Sequence, residues 1–138
     1  MSRMFANCKN LEKLPNFLKL KNTSNVTNMS YMLLNCISLV NISKLSHLDT
    51  SNVTDMGGLF YNCKKIEDLK PISKWKVDKV TNMKSMFNSC SSIKKTNLKD
   101  WNTSKLTDMC CMFSKCTSLK KISGISGWNT SNVTKMNE

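Results

Sequence analysis

Seven cysteines carry most of the chemistry open to this chain. Five of them, Cys8, Cys36, Cys63, Cys90 and Cys116, recur at intervals of 28, 27, 27 and 26 residues, while Cys110 and Cys111 are adjacent. A thiol can serve as nucleophile, redox centre or metal ligand, but each role needs company. Zinc needs ligands at paired, CxxC-like spacing; no such pair is present, and the only histidine is His47. An odd count with one cysteine per repeat does not resemble a secreted disulfide framework. Identical side chains pointing the same way along a stack rarely meet the geometry of a bridge. The five spaced cysteines therefore read as a ladder of buried thiols acting as small apolar side chains. Cys110 and Cys111 form a candidate redox pair, although adjacent cysteines seldom close a bridge, and the charges beside them are only Asp108 and Lys115. General acid–base catalysis needs tuned groups held together, whereas the one histidine and nine acids fall at different repeat positions. The chain is expected to be no enzyme and to use neither a cofactor nor a metal.

A repeat sets the elements that must position these thiols. Methionine recurs at Met1, Met29, Met56, Met83, Met109 and Met136, at intervals of 28, 27, 27, 26 and 27 residues. Thr27, Thr54, Thr81, Thr107 and Thr134 keep step, as do Val26, Val53, Val80, Leu106 and Val133. A period between about 20 and 50 residues marks an array in which each unit buries its apolar face only against its neighbours. One unit alone does not fold, because ordering costs about 1 to 2 kcal/mol per residue and a buried Leu, Phe or Met returns only about 1.5 to 3 kcal/mol. The pattern predicts an α/β repeat solenoid of about five units of 26–28 residues with short parallel β-strands and short helical turns, filling a single domain over residues 1–138.

Each unit opens on an apolar pair spaced by three: Leu11 and Leu14, Leu39 and Ile42, Ile66 and Leu69, Ile93 and Thr96, Leu119 and Ile122. This is the spacing a leucine-rich repeat uses to turn a short strand inward with two outward positions between. Those outward positions hold Glu12 and Lys13, Val40 and Asn41, Glu67 and Asp68, Lys94 and Lys95, and Lys120 and Lys121, so the last two units form a lysine patch. A variable connector follows, with Pro15 and Pro71 where no central ladder donor is required. It closes on Leu48, Trp75, Trp101 or Trp128, a ladder whose large rings read as packing at a corner. The turn is Asn-Thr-Ser-Asn or a close variant, suited to capping local amides; the third unit departs with Lys76-Val77-Asp78-Lys79, which predicts a local irregularity. The next segment is ambiguous. Val26, Met29, Met32, Leu33 and Cys36 fit one face of a helix, while the β-branched opening favours a strand. A short strand followed by a helical turn reconciles the two.

The net charge of +12 rests on 21 Lys plus Arg against 9 Asp plus Glu, and Arg3 is the only arginine. Base-edge and phosphate readout favours the bidentate guanidinium, so an all but pure lysine balance speaks against specific nucleic-acid recognition and for solubility or non-specific binding. No signal peptide, transmembrane run or lipid-attachment motif is seen, and both ends fall inside the repeat; a segment or shortened copy of a longer array is expected.

The unit at 101–119, WNTSKLTDMCCMFSKCTSL, and the partial copy WNTSNVTKM at 128–136 resemble the BspA-like leucine-rich repeats, most closely the variant of mycoplasma-type surface lipoproteins. That resemblance implies a leucine-rich-repeat-like array displayed at a cell surface to bind host or neighbouring molecules, with no catalytic residues to carry over. The expected function is a binding or adhesion scaffold for a protein or polysaccharide partner, with Lys94, Lys95, Lys120 and Lys121 as the expected contact for an acidic one. The alternatives are a non-specific electrostatic binder of nucleic acid or other polyanions, and lysines that only keep the face solvated.

Overall fold

The computed structural model describes residues 1–16, 22–122 and 124–137. The first connector, read from Pro15 to Lys21, lies mostly outside them. Among the described residues there is no α-helix and no β-strand: the named elements are two 3-10 helices, Ser43–His47 and Lys70–Ile72. The expected α/β repeat solenoid of leucine-rich-repeat type is thus corrected. Successive units do lie in register, but single-residue parallel bridges and runs of linked turns take the place of strands and helices.

The linked turns explain the absence of helix. From the repeat methionine to the cysteine, the amides of Met32, Leu34 and Cys36 donate to the carbonyls of Met29, Tyr31 and Leu33, three residues back. The amides between them, on Met29, Tyr31, Leu33 and Asn35, donate instead to Asp55, Gly57, Leu59 and Tyr61 of the next unit, at 2.8 to 2.9 Å. The set recurs from Met56 to Cys63 and from Met83 to Cys90. An α-helix would direct these amides to carbonyls of its own segment and leave none for the neighbouring unit. Left-handed residues enforce the alternation: Tyr31 at φ 54° and Asn35 at φ 57°, then Gly58 and Asn62, Ser85 and Ser89, and Cys111 and Lys115. Each non-glycine residue there costs about 1 to 2 kcal/mol, least for Asn, and the bonds between units offset it. At Gly58 a side chain is also excluded by space, since a Cβ would stand 2.3 Å from the Tyr31 ring.

Strands fail for a related reason. Asn28, Asp55, Asn82, Asp108 and Lys135 form one line of parallel bridges, and Lys13 with Asn41 and Asp68 with Lys95 belong to a second. In the first line the bridging side chain folds back onto the amide two residues on: Asn28 caps Ser30, Asp55 caps Gly57, Asn82 caps Lys84 and Asp108 caps Cys110, at 2.8 to 3.1 Å. Such an Asx turn bends the chain directly after the bridge and ends pairing at one residue.

Columns of like residues fill the interior. Phe60 stacks on Phe87 and Phe87 on Phe113, each pair with centroids 5.4 Å apart. Trp101 stacks on Trp128 at 5.9 Å. Thr23, Thr50 and Thr103 are buried, and their hydroxyls donate to the carbonyls of Asp49, Lys76 and Asn129 at 2.9 to 3.0 Å. Val77 occupies the same column and has no hydroxyl to give, yet its turn is kept, with the Val80 amide 2.9 Å from the Val77 carbonyl.

Phe87→Ala, in the middle of the ring stack, should cost about 3 to 5 kcal/mol in urea unfolding, and Phe113→Ala, at its partly exposed end, clearly less. Thr50→Val should cost about 1 kcal/mol by orphaning the Lys76 carbonyl, whereas Val77→Thr, which offers a donor to the carbonyl of Asn102, should not destabilise. Both comparisons are read from urea midpoints.

Candidate functional site

The flank formed by the second bridge line carries the outward pairs. Lys94, Lys95, Lys120 and Lys121 are all exposed, and of these Lys94 and Lys95 are tied to this line by a backbone bond to Glu67 and a bridge to Asp68. They are not equivalent. The amide of Lys94 donates to the Glu67 carbonyl at 3.2 Å, and this rung sets the Lys94 ammonium 2.7 Å from Glu67 Oε2. Lys95 bridges to Asp68, whose Oδ1 already accepts from the Lys70 amide at 2.8 Å and from Asn97 Nδ2 at 3.3 Å. No ion pair is found for Lys95, Lys120 or Lys121 among the described residues. The patch therefore presents three unpaired ammonium groups and a fourth shared with a carboxylate. An exposed pair of this kind is worth little to stability but does lower the local field.

Beside this flank the connectors leave a furrow that sequence reasoning missed. Open cavities of about 380, 280, 560 and 410 Å³ adjoin in order, the first two sharing Asn41 and Ser43, the middle two Asp68 and Pro71, the last two Lys70 and Lys74. Lys13, Lys44, Lys70, Lys74 and Lys99 line it, and Asn97, two residues beyond Lys95, lines its last part. Its acids are partly engaged: Asp100 Oδ2 lies 2.6 Å from Lys74 Nζ, and that hydrogen bond and charge hold its carboxyl below the usual value. The signal in the sequence was opposite charges one unit apart, as in Lys74 with Asp100 and Glu67 with Lys94.

The thiols lie elsewhere. Cys36, Cys63, Cys90 and Cys116 are buried and Cys8 is exposed. Each buried Sγ donates to a carbonyl of the preceding unit, on Phe5, Leu33, Phe60 and Phe87, at 3.0 to 3.2 Å. Burial pushes the Cys36 and Cys116 thiols up to about 11, and the Cys63 and Cys90 thiols up further. The rings of Trp75, Trp101 and Trp128 are likewise inside, their Nε1 donating to the carbonyls of Leu45, Ile72 and Leu98 at 2.9, 3.3 and 3.0 Å. No group of three or more metal-ligating side chains occurs among the described residues.

The raised thiol values set a pH dependence. An unfolded thiol, with an ordinary value of 9.0, loses its proton before a folded one does, so the unfolded state binds fewer protons as pH rises. Stability is full below about pH 8 and falls between 9.0 and about 11. Urea midpoints at about pH 8 and about pH 10 should differ in that direction, and the fall should be shallower in the Cys63→Ala, Cys90→Ala double variant.

No described helix is long and apolar enough to cross a membrane. Comparison with curated proteins and with solved structures finds no match. Residues 1–120 match the model of the family described as "Mycoplasma protein of unknown function, DUF285", and the chain belongs to that family.

Proposed function

We propose that the protein is a non-enzymatic binding scaffold whose lysine flank and adjoining furrow receive an extended acidic partner, a polysaccharide or a protein segment. The observation that carries this reading is the furrow itself, open across successive units and lined by the connectors, the part of the repeat that varies most. A fixed frame with variable outward positions is how repeat proteins diversify a binding surface. Lysines along the furrow, together with the exposed Lys95, Lys120 and Lys121 outside it, supply a field that attracts a polyanion. The resemblance of the unit at 101–119 to BspA-like surface repeats supports display towards other cells or host molecules.

Heparin, a sulfated polysaccharide, is a suitable probe, titrated at low and high salt beside duplex DNA. The combined charge reversal of Lys94, Lys95, Lys120 and Lys121 to Glu should weaken heparin binding by tenfold or more at about 50 mM salt and by much less at about 500 mM, where exposed charges are screened. Lys94→Glu alone should have the smallest single effect, because its ammonium is shared with Glu67. Unchanged binding by the fourfold variant sinks the patch. Equal affinity for DNA, with the same steep loss in salt, favours bare electrostatics over a shaped site.

A further inference from the structure

Cys110 and Cys111 are the thiol cluster that the core does not absorb. Both are half-buried, and their Sγ atoms lie 3.2 Å apart. A disulfide needs about 2.05 Å, so closing one would draw the sulfurs more than about 1 Å nearer and twist the peptide between them. That peptide is held from both sides. The Cys110 carbonyl accepts from the Ser85 amide at 2.8 Å, and the Cys111 amide donates to the Asn137 carbonyl at 2.8 Å. Asp108 Oδ1 caps the Cys110 amide at 3.1 Å, and Cys111 is left-handed at φ 56°. The rungs of the stack thus keep the two sulfurs adjacent but unbridged.

The separation selects among the centres that thiolates bind. Two sulfur bonds of about 2.3 Å, the length found for zinc, span about 3.2 Å when they meet at about a right angle and about 4.6 Å when they are collinear. A linear two-coordinate cation does not fit. A tetrahedral metal needs two further ligands, and no cluster of three or more His, Cys, Asp or Glu occurs among the described residues. A pyramidal trivalent centre that brings its own third substituent meets both conditions. We propose that Cys110 and Cys111 form a bidentate capture site for soft trivalent metalloids, organoarsenic(III) above all. With an aryl arsine oxide, two As–S bonds form as the As=O bond and two S–H bonds break. The oxygen leaves as water with both thiol protons, and arsenic remains trivalent. The other thiols do not compete, since Cys36, Cys63, Cys90 and Cys116 are buried and Cys8 is exposed without a second exposed thiol on its ladder.

Titration of the full chain with phenylarsine oxide, followed by native mass spectrometry and iodoacetamide mapping, tests this. The expected result is one adduct per chain, with Cys110 and Cys111 shielded from alkylation and Cys8 still modified. Cys110→Ser or Cys111→Ser should weaken capture by about a hundredfold, because the second bond of a chelate forms at high effective concentration, and Cys8→Ser should leave it unchanged. Absence of an adduct on the wild-type chain, shielding that falls on Cys8, or tight capture by either single variant at the pair overturns the proposal. The shielding pattern is read on the wild-type chain and stands independently of how the variants fold.

Discussion

Everything in this fold depends on the amide of every second residue, between the repeat methionine and the cysteine, donating to a carbonyl of the next unit. That constraint fixes the separation of units at the few ångströms a backbone hydrogen bond allows, and the side chains inherit it. Rings in equivalent positions can then only stack, and the 5.4 Å between Phe60, Phe87 and Phe113 is close to the spacing of about 4.8 Å between hydrogen-bonded strands. The thiol of each buried ladder cysteine meets a carbonyl one unit back for the same reason, so a buried sulfur is given a partner without a second cysteine.

The apolar columns were legible because burial by stacking needs the same side chain at the same position in each unit. Met29, Met32, Leu33 and Cys36 are buried, as a helical face would have them, yet linked turns put them there. Hydrophobic spacing records which residues face inward and not how the backbone brings them round. The alternation of left-handed residues was only partly written in the residue types. Asn7, Asn35 and Asn62 signal it, but Tyr31, Ser85 and Lys115 adopt the same conformation with no local preference for it. The column Asn28, Asp55, Asn82 and Asp108 was the stronger clue. Four Asx residues in step announce a turn immediately after the bridge, and hence why neither a strand nor a helix can grow there.

The outward lysines were legible as exposed positions, but their electrostatic state was not. Glu67 and Lys94 are neighbours only because a backbone rung joins their units, and no pattern within one unit reveals it. The furrow was hidden for a different reason: it is a space between the connectors of successive units, lined in part by Pro15 and Pro71, and no pattern within one connector reveals it.

Frame and surface are separable because the rungs are backbone groups. The third unit tests this in nature. Val77 lacks the hydroxyl that Thr50 and Thr103 donate, and the Asn-Thr-Ser corner is gone, yet the turn closes at 2.9 Å as in the unit before it, at 3.0 Å. Side-chain caps therefore reinforce a register that the backbone already sets. Residues that take no part in the rungs or the core, above all those of the flank and the connectors, are then free to change sign, size and polarity at little cost to folding. The proposed binding role draws on that freedom, since outward residues can vary from unit to unit while the register of the units stays fixed.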